Sequence, residues 1–160
     1  DRLLVYQRDD KPGIPWPGQW DLPGGGRENG ETPLQCVQRE TQEEFGVTIA
    51  ECQVVWRRRY DGVLPGSPPT WFMAGEIAPA QIAAIRFGDE GQRWRMMPVA
   101  QFIEHPQGIE HLRRATGRAL FQQLGMDSRQ ADHQAAVGAE VRQPAPLFRV
   151  RPAPARRRGR

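Results

Sequence analysis

Apolar side chains fall in two rhythms along this chain, and the two rhythms separate strands from helices. Leu3, Leu4, Val5 and Tyr6 form a short β-favouring run, so residues 2–8 are expected to be a strand. Residues 9–19, with three prolines and two glycines, read as a loop. Trp20-Asp21-Leu22 reads as a short extended segment closed by Pro23 and Gly24-Gly25-Gly26. Over residues 32–45 the period changes to that of a helix. Thr32 suits the N-cap, Pro33 the first helical position and Gln35 the third, completing a capping box, and Gly46 suits the position just past the end. At about 100° per residue, Leu34, Val37, Thr41 and Phe45 share one narrow arc, the expected buried face.

Farther along, Val47, Ile49, Val54 and Val55 predict one or two strands within 47–60, followed by a turn-rich loop over 62–69 and a strand over 70–77. A short helix is expected at 81–85, a loop at 87–92, a strand at 94–97 and a short helix at 98–104. A longer helix follows at 109–124, with Ile109, Leu112, Thr116 and Leu120 on one face. Beyond Gly125 the periodicity fades. The Pro-, Ala- and Arg-rich stretch 143–160 is expected to be disordered.

Length and composition narrow the class. A chain of 160 residues supports one domain with a real core and is short for two. Its 38% hydrophobic and 26% charged residues suit a soluble protein, and no apolar run approaches the roughly 20 residues that span a bilayer. Nothing resembles a signal or transit peptide. The chain starts at Asp1, already inside a strand pattern, so a truncated N-terminus is expected. Cys36 and Cys52 lie in no CxxC or Cys/His cluster, which predicts two buried or half-buried thiols in a reducing cytoplasm.

The net charge of +3 is unevenly spread. Residues 127–160 hold eight arginines against three acids, which leaves 1–126 with 14 basic and 16 acidic side chains. The expected organisation is a slightly acidic domain over 1–126 and a basic tail over 127–160. A mildly acidic protein that handles polyphosphates needs bound cations to attract its substrate.

Candidate chemistry sits on the 32–45 helix. Glu40, Glu43 and Glu44 stand at i, i+3 and i+4 and project into an arc of about 100°. Like charges at that spacing repel, and a hard divalent cation such as Mg²⁺ or Mn²⁺ would offset the repulsion. A solvated acidic face is the alternative. The preceding turn, Gly24-Gly25-Gly26-Arg27-Glu28-Asn29-Gly30-Glu31, lets backbone approach an ion or a phosphate. Glu31 and Arg39, eight residues apart, have the types needed for a carboxylate–guanidinium clamp or for a weak surface pair.

Residues 25–47, GGRENGETPLQCVQRETQEEFGV, resemble the Nudix box: Gly, five residues, Glu, seven residues, Arg-Glu, an apolar residue, any residue, Glu-Glu, any residue, Gly, an apolar residue. Gly25, Glu31, Arg39, Glu40, Glu43, Glu44, Gly46 and Val47 fall on its positions, and Thr41 departs from it where an aliphatic is usual. The resemblance implies an α/β fold, an α/β/α sandwich with a mixed β-sheet and a loop–helix–loop catalytic motif. It implies metal ligation by Glu40, Glu43, Glu44 and the Gly24 carbonyl, and an Arg39–Glu31 pair that stiffens the scaffold. The implied activity is Mg²⁺- or Mn²⁺-dependent hydrolysis of a pyrophosphate bond in a nucleoside diphosphate linked to another moiety, a small-molecule nucleotide.

In such a family the general base is a box glutamate or an acid on a later loop. Asp89 and Glu90 lie in a glycine-flanked loop that reads equally as an exposed turn with two acids or as a mobile segment whose acid could swing over the metals, and of the pair Glu90 is the expected base. Gly25 and Gly26 are expected at the substrate phosphates. Trp16, Trp20, Trp56, Trp71 and Phe72 are aromatics of a kind that more often fill a core than touch a ligand, and Trp20 is the leading candidate among them to stack on a nucleobase. Arg57, Arg58 and Arg59 read as a solvent-facing strand end. The lead-in Trp-Asp-Leu-Pro-Gly-Gly resembles members that cleave nucleoside triphosphates, oxidised ones included. The competing reading is a non-catalytic nucleotide-sensing or RNA-associated domain, its arginine tail on nucleic acid.

Overall fold

A computed structural model describes residues 1–61, 69–123 and 147–150. Its centre is β1 (Arg2–Gln7), whose Leu3, Leu4 and Val5 are wholly buried because both faces of the strand are covered. Along one edge β1 pairs antiparallel with β5 (Arg93–Pro98), from Arg2 opposite Pro98 to Gln7 opposite Arg93. Its other edge is shared. β2 (Trp20–Asp21) takes Tyr6 and Gln7, and β6 (Leu147–Val150) takes Arg2 and Leu3. β4 (Thr70–Glu76) runs parallel to β6 and antiparallel to β3 (Val54–Tyr60), so the sheet is mixed.

Alternation along the strands divides the interior in two. Leu3, Val5, Trp20, Leu22, Phe72 and Met97 meet Phe102 of α3 (Val99–Glu104) and Leu112 and Ala115 of α4 (Glu110–Gln123) on one side. On the other, Leu4, Tyr6 and Met73 meet Val37 and Phe45 of α1 (Pro33–Phe45), with Ile82 of α2 (Pro79–Ala83) at the margin. Helices cover both faces, which is the expected α/β/α sandwich. Burying a side chain such as Phe45, Phe72 or Phe102 contributes about 1.5–3 kcal/mol each. Among the described residues, no helix is long and apolar enough to cross a membrane.

Three expectations need correction. The strand predicted from residue 47 begins at Val54. Val47 and Ile49 are buried, at 3% and 1% exposure, yet they lead into a single 3₁₀ turn at Glu51–Gln53. Their apolar character reported burial beneath Phe45, and Gln53 fixes the turn by bonding Ala50 N, Glu76 O and Gln81. Cys52, on that turn, is exposed, whereas Cys36 is buried as expected. Within 143–160, Leu147–Val150 form a strand, because Leu-Phe-Arg-Val has the side chains of a strand inside a Pro- and Arg-rich setting and the gap between β1 and β4 supplies backbone partners. The rest of that stretch, and most of the loop predicted at 62–69, lie outside the described residues.

Candidate active site

α1 begins as its sequence requires. Gln35 N donates to Thr32 Oγ1 at 3.2 Å, Thr32 N donates to Gln35 Oε1 at 2.8 Å, and Pro33 opens the first turn. Just upstream the chain reverses through Glu28–Glu31, closed by Glu31 N to Glu28 O at 2.8 Å. Asn29 and Gly30, at φ +46° and +76°, adopt the left-handed conformations that such a turn demands. Thr41, the departure from the motif, is fully buried and donates its hydroxyl to Val37 O at 2.7 Å, so the helix satisfies it.

Arg39 organises the loop. Its Nη2 and Nε bind Glu31 Oε1 and Oε2 at 2.9 and 3.2 Å, a bidentate fork. Nη2 also reaches Gly26 O and Glu40 Oε1, each at 2.9 Å, and Nη1 reaches Glu43 Oε2 at 2.9 Å. Hydrogen bonding to Arg39 holds the Glu31 carboxyl down at about 2 and raises the guanidinium in turn. The Arg39–Glu31 pair drawn from the sequence is thus present, with Glu40, Glu43 and Gly26 gathered on the same guanidinium.

Glu40 lies directly against Gly25. A Cβ at that glycine would stand 2.2 Å from Glu40 Oε1, so only glycine admits the carboxylate there. Burial raises the Glu40 carboxyl, Arg39 opposes the shift, and Glu43 and Glu90 add to it. Glu44 is 6% exposed, and its Oε2 accepts Gly24 N at 3.1 Å. Its carboxyl is driven well above the ordinary range by burial, then by the nearby charges of Asp21 and Glu40. Cys36 packs beside them, donating to Gly25 O at 3.6 Å, and burial pushes its thiol up to about 12.

The loop after α2 docks on the end of α1. Arg86 N and Gly88 N donate to the Phe45 and Glu44 carbonyls at 2.9 and 2.8 Å, satisfying groups that a helix terminus leaves open. Gln92 N then binds Gln7 O at 2.8 Å. Glu90 therefore sits between two backbone anchors, near enough to Glu40 to perturb its ionisation. The mobile loop offered by the sequence is thus tied to α1 at Gly88 and to β1 at Gln92. Asp89 and Glu90 are both exposed.

Among the described residues, no three carboxylates, imidazoles or thiols converge closely enough to hold a metal as they stand. The donor set nonetheless fits a hard cation. Glu40, Glu43 and Glu44 offer only oxygen, and Glu44 is a buried carboxylate whose strongest charged neighbours, Asp21 and Glu40, are also acids. The Arg39 contacts hold Glu40 and Glu43 beside each other along the same helix face.

Trp20 is a different case. It is 3% exposed and part of the core, with Arg95 and Arg93 lying 4.6 and 5.5 Å from its ring centroid. A covered indole has no open face for a base, which corrects the stacking expectation. Phe72 is fully buried, and Trp16, Trp56 and Trp71 are half-buried against the core. Arg57, Arg58 and Arg59 are exposed, with Arg57 3.7 Å from Glu51 and Arg58 over the Tyr60 ring.

Sequence reasoning missed a buried polar group behind Glu44. Asp21, 7% exposed, accepts Leu22 N at 2.7 Å and Arg8 Nη1 at 2.8 Å, and Tyr6 stands beside it. The signal was available. A lone acid between Trp20 and Leu22, in a segment reading as core, demands a buried cation or donors.

Comparison with known proteins agrees with this geometry. The NUDIX domain family model matches residues 1–118. Over 38 residues the chain is 45% identical to the 8-oxo-dGTP diphosphatase of Proteus vulgaris, covering 24% of this chain and 34% of that protein. Over 113 residues it is 30% identical to the RNA pyrophosphohydrolase of Aeromonas hydrophila subsp. hydrophila, covering 56% of this chain and 64% of that protein. The matches thus span between a third and just under two thirds of these relatives. The fold resembles a bifunctional NMN adenylyltransferase/ADP ribose pyrophosphatase from Francisella tularensis, complexed with AMP and a Mn ion. The TM-score is 0.58 at 18% identity, over 78% of this chain and 38% of that one. The matched span contains the glycine turn, the Arg39 clamp and every glutamate of α1, and with it the chain belongs to the Nudix family.

Proposed function

We propose that this chain is a hydrolase that cleaves a pyrophosphate bond in a nucleoside diphosphate derivative, with Mg²⁺ or Mn²⁺ held by Glu40, Glu43, Glu44 and the Gly24 carbonyl. The observation that carries the reading is Glu44, a buried acid under the Gly24 turn, set beside Glu40 and Asp21. A bound ion would neutralise the pyrophosphate and acidify a coordinated water. Arg39 and Glu31 keep the turn and the helix in register. The Glu90 carboxylate takes the proton of the attacking water as its oxygen bonds to phosphorus and the bridging P–O bond breaks. Gly25 and Gly26 bring backbone close to the substrate phosphates.

A nucleoside triphosphate, oxidised or not, is the first substrate choice, in line with the local likeness to an 8-oxo-dGTP diphosphatase. The 113-residue likeness to an RNA pyrophosphohydrolase supports a second, the 5′ end of an RNA. The catalytic domain in this reading is residues 1–126 together with β6, which completes its sheet from within the basic C-terminal stretch. Two free thiols suit the cytoplasm.

The test is hydrolysis with and without Mg²⁺ across nucleoside triphosphates, 8-oxo-dGTP, 5′-triphosphorylated RNA, ADP-ribose, dinucleoside polyphosphates and nucleotide sugars. Metal-dependent turnover of one class is expected. No turnover of any of them would leave the binding-only reading.

A further inference from the structure

Among the described residues, two besides glycine have a positive φ, Asn29 at +46° and Trp16 at +50°. Asparagine tolerates that backbone. A bulky tryptophan does not, and Pro17 after it favours extended backbone at Trp16 instead. Such a conformation persists only where its surroundings hold it. Here Arg8 Nε donates to Pro15 O at 2.9 Å, Gln19 N donates to Trp16 O at 3.3 Å, and Gly18 N donates to Asp9 O at 3.0 Å.

Those bonds place an indole beside the candidate site. Residues 8–19 join β1 to β2, so their loop lies at the end of the sheet. The guanidinium that fixes Pro15 O also donates Nη1 to Asp21 Oδ2 at 2.8 Å, so one side chain spans from the Trp16 turn to Asp21. Gly24 stands three residues farther on, at most about 11 Å along the chain. Its N donates to Glu44 Oε2 at 3.1 Å. A nucleoside triphosphate with its phosphates at the α1 acids is long enough to bring its base to this loop.

The Trp16 ring is half-buried, unlike the covered Trp20. It leans on His111 of α4, with ring centroids 5.1 Å apart and planes tilted by 52°, a contact that steadies the indole without lying flat over its face. The other aromatics are placed less well. Phe72 is fully buried and Trp94 packs into the α1 layer. Trp71 on β4 and Trp56 on β3 stand three and four strands from β2, about 14 and 19 Å away.

We propose that Trp16, steadied by His111, is the platform on which the nucleobase of the substrate stacks. The proposal rests on the nucleotide reading above and adds where the base is held. Stacking uses the face of a base and not its edge, so Trp16 supports affinity for purine nucleotides alike.

The experiment measures binding to the full chain with Mg²⁺ by isothermal titration calorimetry. Its probes are the α,β-methylene analogues of ATP and GTP and, as a ligand without a base, inorganic tripolyphosphate. Trp16→Gly removes the ring and accepts the left-handed backbone. Affinity for both analogues should fall about 5- to 100-fold, with tripolyphosphate binding unchanged, and Trp16→Phe should restore most of the loss. Wild-type affinity for the analogues in Trp16→Gly overturns the proposal. So does an equal loss for tripolyphosphate, which would make Trp16 a prop for the loop. Should the glycine variant fail to fold, Trp16→Leu decides by the same readings. A wild-type chain that binds neither kind of ligand overturns the nucleotide reading itself, whereas wild-type binding that Trp16→Gly leaves intact removes only the platform.

Discussion

Arg39 Nη2 stands 2.9 Å from Glu31 Oε1, and the residue between helix and loop that makes this contact also touches Glu40 and Glu43. One guanidinium thereby ties the turn before α1 to the acids upon it. Arg39→Lys keeps the charge but replaces a planar fork with a single ammonium. We expect a loss of about 1–2 kcal/mol in unfolding free energy, read by chemical denaturation, together with a clear fall in kcat/KM.

The same pair gives a pH dependence with a definite sign. The folded Glu31 carboxyl titrates at about 2, below its unfolded value. Its contribution to stability is therefore complete above the ordinary carboxylate range and is lost as pH falls from there toward 2. Glu31→Gln should flatten the acid side of the stability curve between roughly pH 5 and 2, measured by thermal melts across that window. An unchanged acid slope would count against the pair.

Gly25→Ala is expected to separate stability from function. The added methyl meets the flexible end of Glu40, so the fold yields by moving that carboxylate. The melting temperature should drop by only a few degrees while Mg²⁺-dependent turnover falls on the order of 100-fold. Equal losses in both would mean that the turn itself had collapsed.

Glu44→Gln should abolish most activity, by on the order of 100-fold or more. Its effect on stability should have the opposite sign. Burial and the charges of Asp21 and Glu40 disfavour the ionised Glu44, so the neutral amide raises the melting temperature of the metal-free protein at neutral pH. Calorimetry without metal checks the second half independently of any assay.

Glu90→Gln addresses the base. Proton transfer by a placed group is worth about 10²–10⁴-fold, so kcat should fall in that range while Mn²⁺ affinity stays as in the wild type. Retained kcat would move the role to an acid on α1.

The sequence made α1 legible almost atom by atom, because Thr32, Pro33, Gln35 and Gly46 act locally and leave the helix little choice of start and stop. The spacing put three acids on one arc of it, but their proposed role came only with the resemblance of the whole 25–47 segment. Trp20 was misjudged because an aromatic beside a glycine turn looks the same in a string whether its ring faces solvent or two arginines of β5, 73 and 75 residues away. Asp21 was overlooked for a related reason: its partners, Tyr6 and Arg8, join it only when β1 and β2 pair. Val47 and Ile49 showed that β-branched residues can signal an interior position without a ladder.

The two backbone anchors on the loop after α2 have a mechanical consequence. With Gly88 pinned to the helix end and Gln92 to β1, only three residues span the fixed points. Glu90 can pivot on a short tether but cannot travel. Because one anchor is on α1 and the other on β1, a shift of the helix against the sheet would have to be taken up within this three-residue span.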